Sequence, residues 1–331
     1  MSHFMPEIGK GAVGSLWSYA GTIWDYWERQ LDAGAPRRLD GEGPLAGKVV
    51  VVTGASSGIG RELAKLTATY GGRPLLVAYD RENLEDAARE IRARGGDCAH
   101  YTVDLRDLEA CDRLVEQILA DHGKVDVLVN NAGKSIRRSI ELSYHRFHDF
   151  ERTMQLNYFA PVRLVLGFLP AMRARKDGHI VNISTIGTQA GGPRFASYLA
   201  SKAALDAFAR SLAPEVLGDN VRVTTVHMPL VQTPMIAPTE IYRYAPALSA
   251  EEAAAWVMKA LLTRQRTVST MIGACASIFY TLAPAVADRF ASILYRIVPE
   301  SAAAMGKPRS EAPQPQAAAT FVSHLLRGVY V

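Results

Sequence analysis

The chain has 331 residues, of which 48% are apolar and 21% are charged, a balance that excludes a wholly disordered protein. Its net charge of +4 comes without a basic block, so the sequence predicts no nucleic-acid partner. Three widely spaced cysteines supply neither a disulfide framework nor a metal-ligand spacing. We therefore predict no metal site and a reducing, cytoplasmic location.

Residues 1–46 are predicted to be a helical extension that ends in a linker. Apolar residues recur there at helical spacing, which indicates an amphipathic helix: Leu16, Ala20, Ile23, Trp24, Trp27 and Leu31. The Gly- and Pro-rich segment from Asp32 to Pro44 is typical of a linker. The apolar stripe would either pack on the main domain or lie in a membrane interface, where Trp and Tyr prefer to sit.

Residues 47–265 alternate strand patterns with helix patterns. Apolar runs rich in β-branched residues predict strands covered on both faces, the first from Lys48 to Thr53 and the last from Val221 to His227. Helical stretches separate these runs, and the longest extends from His148 to Arg175. This alternation predicts βαβ units in an α/β fold, a doubly wound parallel sheet of Rossmann type with about seven strands.

Residues 266–331 are predicted to form a C-terminal extension. We expect a strand from Val268 to Ile272, then one apolar helix to Val298, then a mobile Pro/Ala/Gln-rich tail over Lys307 to Thr320. The segment from Thr267 to Ala287 carries no charge and is long enough to cross a bilayer. Its Thr, Ser, Gly and Pro residues favour the strand and helix over a membrane span.

The segment from Thr53 to Gly60 reads TGASSGIG and lies between the first strand and the first helix. Gly54, Gly58 and Gly60 lack side chains, so the backbone can approach a pyrophosphate there. The N-terminus of the helix supplies N–H groups and the positive end of its dipole. In this position the pattern predicts a dinucleotide-binding site.

Further motifs follow in a fixed order. Asn130 to Gly133 reads NNAG after the fourth strand, Asn157 lies in the next helix, and Tyr198 and Lys202 form a Tyr-x-x-x-Lys motif. Together with the glycine loop, these motifs resemble the short-chain dehydrogenase/reductase family. Leu230 departs from that pattern, because it stands where the family usually has glycine. The resemblance implies an NAD(P)H-dependent oxidoreductase.

The resemblance also implies which residues hold the nicotinamide cofactor. They come from the glycine loop, the ends of the second to fourth strands, the catalytic pair and the loop after the sixth strand: Gly54, Ser56, Ser57, Gly58, Ile59, Gly60, Tyr79, Asp80, Arg81, Asp104, Leu105, Asn131, Ala132, Gly133, Tyr198, Lys202, Pro229, Val231 and Thr233.

Four longer strings are similar to the bacterial aldehyde-forming fatty acyl-CoA reductases of this superfamily. They are KSIRRS from Lys134, RFHDFERTMQLNYF from Arg146, SKAALDAF from Ser201 and MPLVQTPMIAPTEIY from Met228. This closer resemblance implies reduction of a long-chain acyl-CoA to a fatty aldehyde. One alternative is a ketone or alcohol oxidoreductase acting on another hydrophobic substrate, such as a 3-oxoacyl, steroid-like or retinoid-like compound. The other is a nucleotide-binding scaffold, against which the intact Tyr-x-x-x-Lys motif argues.

Tyr198 and Lys202 lie about one helical turn apart and therefore share a helix face. We expect an adjacent ammonium and an oxidised nicotinamide to lower the pKa of the Tyr198 phenol, which then exchanges a proton with the substrate oxygen. The family's catalytic serine lies thirteen residues earlier, where this chain has Thr185; we predict that Thr185 polarises the carbonyl, with Ser184 as the alternative. Asn157 matches a family residue that helps to hold a proton-relay water next to the lysine. The alternative is a structural role, in which Asn157 bends the helix by bonding its backbone.

The cofactor preference depends on the end of the second strand. There the family uses a basic side chain for the 2′-phosphate of NADP and an acidic one for the ribose diol of NAD. Tyr79 stands where the subfamily usually has arginine, Asp80 would repel a phosphate, and Arg81 and Arg61 could attract one. The subfamily resemblance slightly favours NADP(H), with NAD(H) as the alternative. Asp104 matches a residue that contacts adenine, or caps the next helix.

The substrate and partners are predicted from apolar surface. A mobile lid from Met235 to Pro246 would cover a hydrophobic substrate with Met235, Ile236, Ile241, Tyr242 and Tyr244. The C-terminal helix carries more apolar surface than a minimal domain needs, so we expect a homo-oligomer, or peripheral membrane contact through this helix or the N-terminal one. Lys134, Arg137 and Arg138 would meet the phosphates of CoA or form a solvated basic loop.

Overall fold

The fold is seen in a computed structural model that describes residues 43–237, 239, 242 and 247–306. Within these residues, seven strands form one parallel sheet in the order β3-β2-β1-β4-β5-β6-β7. The strands are β1 (Val49–Thr53), β2 (Arg73–Ala78), β3 (Ala99–Thr102), β4 (Val127–Asn130), β5 (Gly178–Thr185), β6 (Val221–Met228) and β7 (Thr267–Ser269). The predicted doubly wound sheet is therefore confirmed.

The helices connect successive strands and continue beyond the last one. They are α1 (Gly58–Thr69), α2 (Arg81–Ala93), α3 (Leu108–His122), α4 (Phe147–Met154), α5 (Ala160–Arg175), α6 (Gly187–Ala190), α7 (Ala196–Val216), α8 (Ala250–Thr263), α9 (Met271–Leu282), α10 (Pro284–Ile297) and α11 (Ala302–Met305). A π-helical turn, Gln155–Phe159, joins α4 to α5, so the predicted long helix is continuous but locally widened.

The position of strand β1 in the sheet explains why its sequence is apolar throughout instead of alternating between apolar and polar residues. Val50 and Val52 belong to a buried cluster with residues of α1, α2 and α8 on one face of the sheet. Val49 and Val51 belong to a second cluster, with residues of α3, α5 and α7, on the other face. Because helices cover both faces, every side chain of the strand is buried.

The order of the strands determines where a ligand can bind. The chain runs outward through β2 and β3 on one side of β1, then continues with β4 on the other side. At this switch point the carboxyl ends of β1 and β4 lie side by side, which opens a crevice between their loops. The glycine loop follows β1 and the NNAG motif spans the end of β4, so both lie at this crevice.

The C-terminal region differs from its prediction at two points. Strand β7 pairs with β6 but ends at Ser269, because the Thr270 side chain caps α9 by accepting a hydrogen bond from the backbone N–H of Gly273 at 3.0 Å. The single apolar helix expected up to Val298 is two helices, since Pro284 starts α10 after a break at Ala283.

Helices α9 and α10 are the apolar helices that follow the sheet, and neither reaches the length of a membrane span alone. Among the residues that the structure describes, no single helix is long and apolar enough to cross a membrane. As a pair, α9 and α10 reach the required length and composition, but they are bent by 118° at the break. The predicted N-terminal helix and the predicted tail after residue 306 lie outside the described residues.

Candidate active site

The glycine loop after β1 leaves no room for side chains. Gly54 has a φ of +67°, and a Cβ built there would lie 2.9 Å from the Cα of Ala132. A Cβ on Gly60 would lie 2.3 Å from the carbonyl oxygen of Gly54. The loop therefore folds tightly onto the N-terminus of α1, where backbone N–H groups can face a pyrophosphate. Ser56 and Ser57 lie in the same loop and Ile59 lies in the first turn of α1, so all three border the predicted phosphate site.

The segment after β4 is hydrogen-bonded to the end of β1. Asn131 donates its side-chain amide to the carbonyl of Thr53 at 2.8 Å. The Thr53 hydroxyl in turn accepts hydrogen bonds from the backbone N–H groups of Asn131, at 2.9 Å, and Ala132, at 3.0 Å. Thr53 was not singled out from the sequence, although a hydroxyl at the end of an apolar strand is a recognisable signal. It couples the two loops that border the predicted cofactor crevice.

The loop after β6 closes against the glycine loop. Pro229 is buried, and Val231 forms an isolated β-bridge with Leu248. The side chain of Thr233 reaches the glycine loop, because a Cβ on Gly58 would lie 3.0 Å from its methyl group. Of the residues expected to bind the nicotinamide half, Thr233 therefore lies against the glycine loop.

The polar residues at the adenosine end already have partners. Asp80 caps α2, since its carboxylate accepts hydrogen bonds from the side chain of Asn83 at 2.7 Å and from its backbone at 3.2 Å; these bonds lower the pKa of Asp80. Arg81 pairs with Glu85 at 2.7 Å, and Arg61 pairs with Glu90 at 2.8 Å. Neither cation is held in place for a phosphate, and Tyr79 is 74% exposed between β2 and α2.

Asp104 lies just after β3 and does not cap the next helix. It pairs with Arg106 at 2.6 Å, and its neighbour Leu105 is buried. The cap of α3 is Asp107, whose carboxylate accepts hydrogen bonds from the backbone N–H groups of Glu109 and Ala110. The capping explanation for Asp104 is therefore wrong; both oxygens of its carboxylate accept hydrogen bonds from Arg106, and the adenine contact stays a prediction.

Tyr198 and Thr185 meet through their side-chain hydroxyls. Thr185 is the last residue of β5, and Tyr198 lies in the first turn of α7. Burial raises the pKa of Tyr198 to about 12, although the hydrogen bond with Thr185 acts in the opposite direction. The sequence led us to expect a lowered pKa, but in the protein alone desolvation outweighs every favourable contact. Tyr198 is therefore a neutral phenol at physiological pH.

Lys202 is buried behind the same site. Its ammonium donates a hydrogen bond to the carbonyl of Ile183 at 2.7 Å, and burial lowers its pKa to about 8, with the charge of Asp206 opposing the shift. A Cβ on Gly133 would lie 3.4 Å from the Lys202 nitrogen and 3.2 Å from the amide oxygen of Asn157. The NNAG loop therefore rests directly on both polar groups.

Asn157 lies in the π-helical turn and its amide is fully engaged. Its oxygen accepts a hydrogen bond from the backbone N–H of Lys134 at 2.8 Å, and its nitrogen donates to the Lys134 carbonyl at 2.9 Å. The same nitrogen donates to the hydroxyl of Ser201 at 2.9 Å, and Ser201 donates to the carbonyl of Tyr198 at 2.7 Å. Ser201, which the sequence reading did not single out, links Asn157 to the tyrosine.

Ser184 is directed away from Thr185. Its hydroxyl donates a hydrogen bond to Asp206 at 3.0 Å, and the same carboxylate oxygen lies 3.3 Å from the ring of His227. Ser184 is 2% exposed, so it has no access to a substrate carbonyl in this arrangement. Asp206 was not found from the sequence, because a lone acidic residue in a helix usually indicates an exposed face.

A cavity of about 220 Å³ approaches the site through one of its lining residues, Phe195. Phe195, which lines it, has its ring 6.3 Å from that of Tyr198. Both basic and apolar side chains contribute to the wall, among them Lys134, Ile136, Phe195, Met235, Ile236 and Tyr242. Three residues of the predicted lid are therefore cavity walls, whereas Ile241 and Tyr244 fall outside the described residues.

Arg137 and Arg138 do not form a solvated loop. Arg137 donates to the carbonyl of Pro299, and Arg138 donates to the carbonyl of Ala304, both at 2.7 Å. The side chain of Arg137 is only 7% exposed. Both arginines therefore hold the C-terminal segment rather than facing open solvent.

Known proteins share this sequence and fold. A family profile described as short chain dehydrogenase matches residues 48–241. A fatty acyl-CoA reductase of Acinetobacter baylyi is 51% identical over 263 residues, which cover 80% of this chain and 89% of that protein. A fatty acyl-CoA reductase of Mycobacterium tuberculosis is 43% identical over 241 residues, which cover 72% of this chain and 82% of that protein.

A solved structure is similar as well. It is a metagenomic short-chain oxidoreductase in complex with NADP, 34% identical, with a TM-score of 0.59 over 68% of this chain and 97% of that chain. The profile match spans more than half of the chain and includes the glycine loop, the NNAG motif and the Tyr-x-x-x-Lys motif. This chain belongs to the short-chain dehydrogenase/reductase family and is an NAD(P)-dependent oxidoreductase.

Proposed function

We propose that this oxidoreductase reduces long-chain fatty acyl-CoA thioesters to fatty aldehydes and uses NADPH to do so. The observation that carries the proposal is the hydroxyl pair of Thr185 and Tyr198, which a partly apolar cavity approaches through Phe195. Two hydroxyl donors at one point are what a carbonyl reduction needs to stabilise negative charge on oxygen. The names of two relatives, both fatty acyl-CoA reductases at 51% and 43% identity, support a thioester as the carbonyl.

The reaction divides between the cofactor and the side chains of this chain. When bound, NADPH supplies a hydride to the thioester carbonyl carbon. Thr185 and Tyr198 donate hydrogen bonds to the carbonyl oxygen as its charge grows, and Tyr198 transfers its proton to that oxygen to give a hemithioacetal. The C–S bond then breaks, the hydroxyl proton passes to sulfur, and free CoA and aldehyde are released.

The raised pKa of Tyr198 is consistent with a role as proton donor in carbonyl reduction. Because burial raises that pKa to about 12, the phenol carries its proton at neutral pH and can act as an acid without prior protonation. Lys202, with a pKa of about 8, is also largely protonated at neutral pH. A hydride reduction needs the protonated phenol as its acid, whereas an alcohol oxidation needs a tyrosinate base.

The preference for NADPH over NADH is also part of the proposal. It is supported by the resemblance to the acyl-CoA reductases and by the NADP complex of a 34% identical structure. The ion pair of Arg81 with Glu85 is an exposed pair four residues apart in a helix, a type that contributes little stability. Arg81 can therefore leave Glu85 for a 2′-phosphate, while the negative charge of Asp80 opposes that binding.

We further propose that helices α9 and α10 bind a membrane surface, where lipophilic substrates accumulate. Large apolar side chains on both helices are exposed: Met271, Ile272, Ile278, Phe279, Tyr280, Leu282, Val286, Phe290 and Ile293. No charged residue occurs between Thr267 and Ala287, and aromatic residues suit the interfacial region of a bilayer. The end of α10 leads directly into the segment that lines the cavity.

A substrate series tests the proposed activity. We expect oxidation of NADPH with dodecanoyl- to octadecanoyl-CoA and much slower oxidation with short, polar ketones. Oxidation with hydrophobic ketones and none with acyl-CoA would replace the proposal with a ketone or alcohol oxidoreductase. Tight nucleotide binding without turnover of either class would favour the scaffold.

A further inference from the structure

Residues 298–306, which we name the C-terminal strap, contribute to the wall of the substrate cavity. They follow α10 and contain the short helix α11. Ser301 and Ala304 of the strap line the cavity together with lid residues such as Met235. The strap is therefore one wall of the cavity, although it is far in sequence from the catalytic residues.

Glu300 fixes the strap by its charge. Its carboxylate lies 3.0 Å from the guanidinium of Arg194 and 4.0 Å from that of Arg137. The backbone N–H of Ser139 donates a further hydrogen bond to it at 3.2 Å. The side chains of both arginines are 7% exposed and that of Glu300 is 16% exposed, so these ion pairs are largely shielded from water.

The arginines around Glu300 also bind the strap and its flank through backbone carbonyls. Arg194 donates to the carbonyl of Tyr295 at 3.0 Å, and its guanidinium lies 4.1 Å from the centre of the Tyr295 ring. Arg138 donates to the carbonyl of Ala304 and pairs with the buried Asp149 of α4 at 3.3 Å. These polar contacts tie the strap to the loop after β4, to α4 and to the residues before α7.

The cavity under the strap is small for the proposed substrate. Its volume is about 220 Å³. Sites for drug-sized ligands have roughly 300–1,000 Å³, so the enclosed part of this open cavity holds only part of a long acyl chain while the strap is in place. The strap presents only small side chains to the cavity, Ser301 and Ala304, and it is held chiefly by contacts with arginine side chains.

We infer that Glu300 is a positioning residue that keeps the strap closed, and that opening of the strap admits long acyl chains, so that Glu300 sets the chain-length preference. This inference rests on the proposed acyl-CoA reductase function. A substrate that needs the open strap binds with an apparent affinity reduced by the small open fraction. Weakening the contacts of Glu300, which act as a latch on the strap, raises the open fraction. This strengthens the binding of long acyl chains and leaves the binding of short chains unaffected.

The test compares Glu300→Gln with the parent, because glutamine keeps the shape and removes the charge. We expect the ratio of kcat/KM for hexadecanoyl-CoA to that for butanoyl-CoA to rise by about threefold or more, with the affinity for NADPH unchanged. Glu300→Asp, which keeps the charge, should restore a ratio near that of the parent. Glu116→Gln, an exposed position on α3, is the matched control and should leave the ratio unchanged.

A second measurement does not depend on activity. Amide hydrogen exchange of residues 300–306 should be faster in Glu300→Gln than in the parent, while exchange in β1 stays the same and reports an intact fold. If exchange accelerates but the parent reduces no acyl-CoA, the latch stands and the proposed function fails. If the parent reduces acyl-CoA and the ratio is unchanged or moves towards short chains, the inference is overturned.

Discussion

Ser184 donates a hydrogen bond to the carboxylate of Asp206, 3.0 Å away, so its hydroxyl points into the interior of the protein. Adjacent residues of a strand face opposite sides, so the next side chain, Thr185, faces the hydroxyl of Tyr198 instead. Of the two hydroxyls at the end of β5, only that of Thr185 is therefore available to a substrate carbonyl.

The first prediction separates these two hydroxyls. Thr185→Ala should lower kcat/KM by about 10²–10³-fold, the loss typical of one oxyanion donor, whereas Thr185→Ser should keep most of the activity. Ser184→Ala should mainly lower the free energy of unfolding, by about 1–3 kcal/mol, because it leaves buried polar groups unpaired. Steady-state kinetics and thermal unfolding of the three variants provide the measurement. A larger kinetic loss for Ser184→Ala would assign the carbonyl contact to Ser184.

The second prediction follows from the pKa of Lys202, which burial lowers from 10.5 to about 8. Between these two values the unfolded chain binds more protons than the folded one, so the free energy of unfolding rises with pH across that window. Below this pH window, the folded and the unfolded chain both bind the proton. The full free-energy cost of burying the charged Lys202 then remains, on the order of 3 kcal/mol.

Lys202→Met removes this cost and should be more stable than the parent at neutral pH, while its activity is lost. The difference in melting temperature between variant and parent should shrink as pH rises through the same window. Thermal unfolding at a series of pH values measures it. Parallel curves for the two proteins would show that Lys202 titrates normally.

The third prediction concerns Asp80 and cofactor choice. Asp80→Ser keeps a residue that can cap α2 and removes a negative charge at the predicted 2′-phosphate site. We expect kcat/KM with NADPH to rise by about threefold to tenfold and that with NADH to fall. Asp107→Ser makes the same replacement at the cap of α3 and is the matched control. Equal effects of the two substitutions would place Asp80 away from the ribose.

The fourth prediction tests the membrane surface. Leu282→Glu with Phe290→Glu places charges on two exposed apolar positions and should reduce flotation with phosphatidylglycerol-containing vesicles by about tenfold or more. Leu217→Glu changes an exposed leucine in the turn between α7 and β6 and should float like the parent. Sedimentation without lipid tests the alternative that a second copy of the chain covers this apolar surface. Loss of a dimer in the double variant, with unchanged flotation, would contradict membrane binding.

The sheet could be predicted because it depends on local pattern. Apolar runs such as the one ending at Thr53 predict strands covered on both faces, and β1 is covered in this way. The end of β7 could not be predicted from the apolar run alone, because the side chain of Thr270 caps a helix inside that run. Pro284 was visible in the sequence, but the bend it starts is apparent only in three dimensions.

The candidate site was predictable where it consists of motifs and unpredictable where it depends on burial or distant contacts. The glycine loop and Tyr198 lie at one crevice, as their order along the chain suggests. The pKa of Tyr198 was expected to be lowered by an ammonium and an oxidised nicotinamide; in the protein alone burial raises it, and burial is set by residues far away in sequence. The pairing of Arg194 with Glu300 is equally hidden, since either residue alone suggests a solvated charge.

The most direct test of the central claim is a product balance with hexadecanoyl-CoA and NADPH. For each NADPH oxidised, we predict one free CoA thiol and one hexadecanal. Tyr198→Phe should lower this rate by about 10²–10⁴-fold while the affinity for NADPH is kept, because only the proton donor is lost. Tyr144→Phe, an exposed position before α4, is the control and should behave like the parent. Oxidation of NADPH without release of CoA, or an unimpaired Tyr198→Phe, would contradict the account.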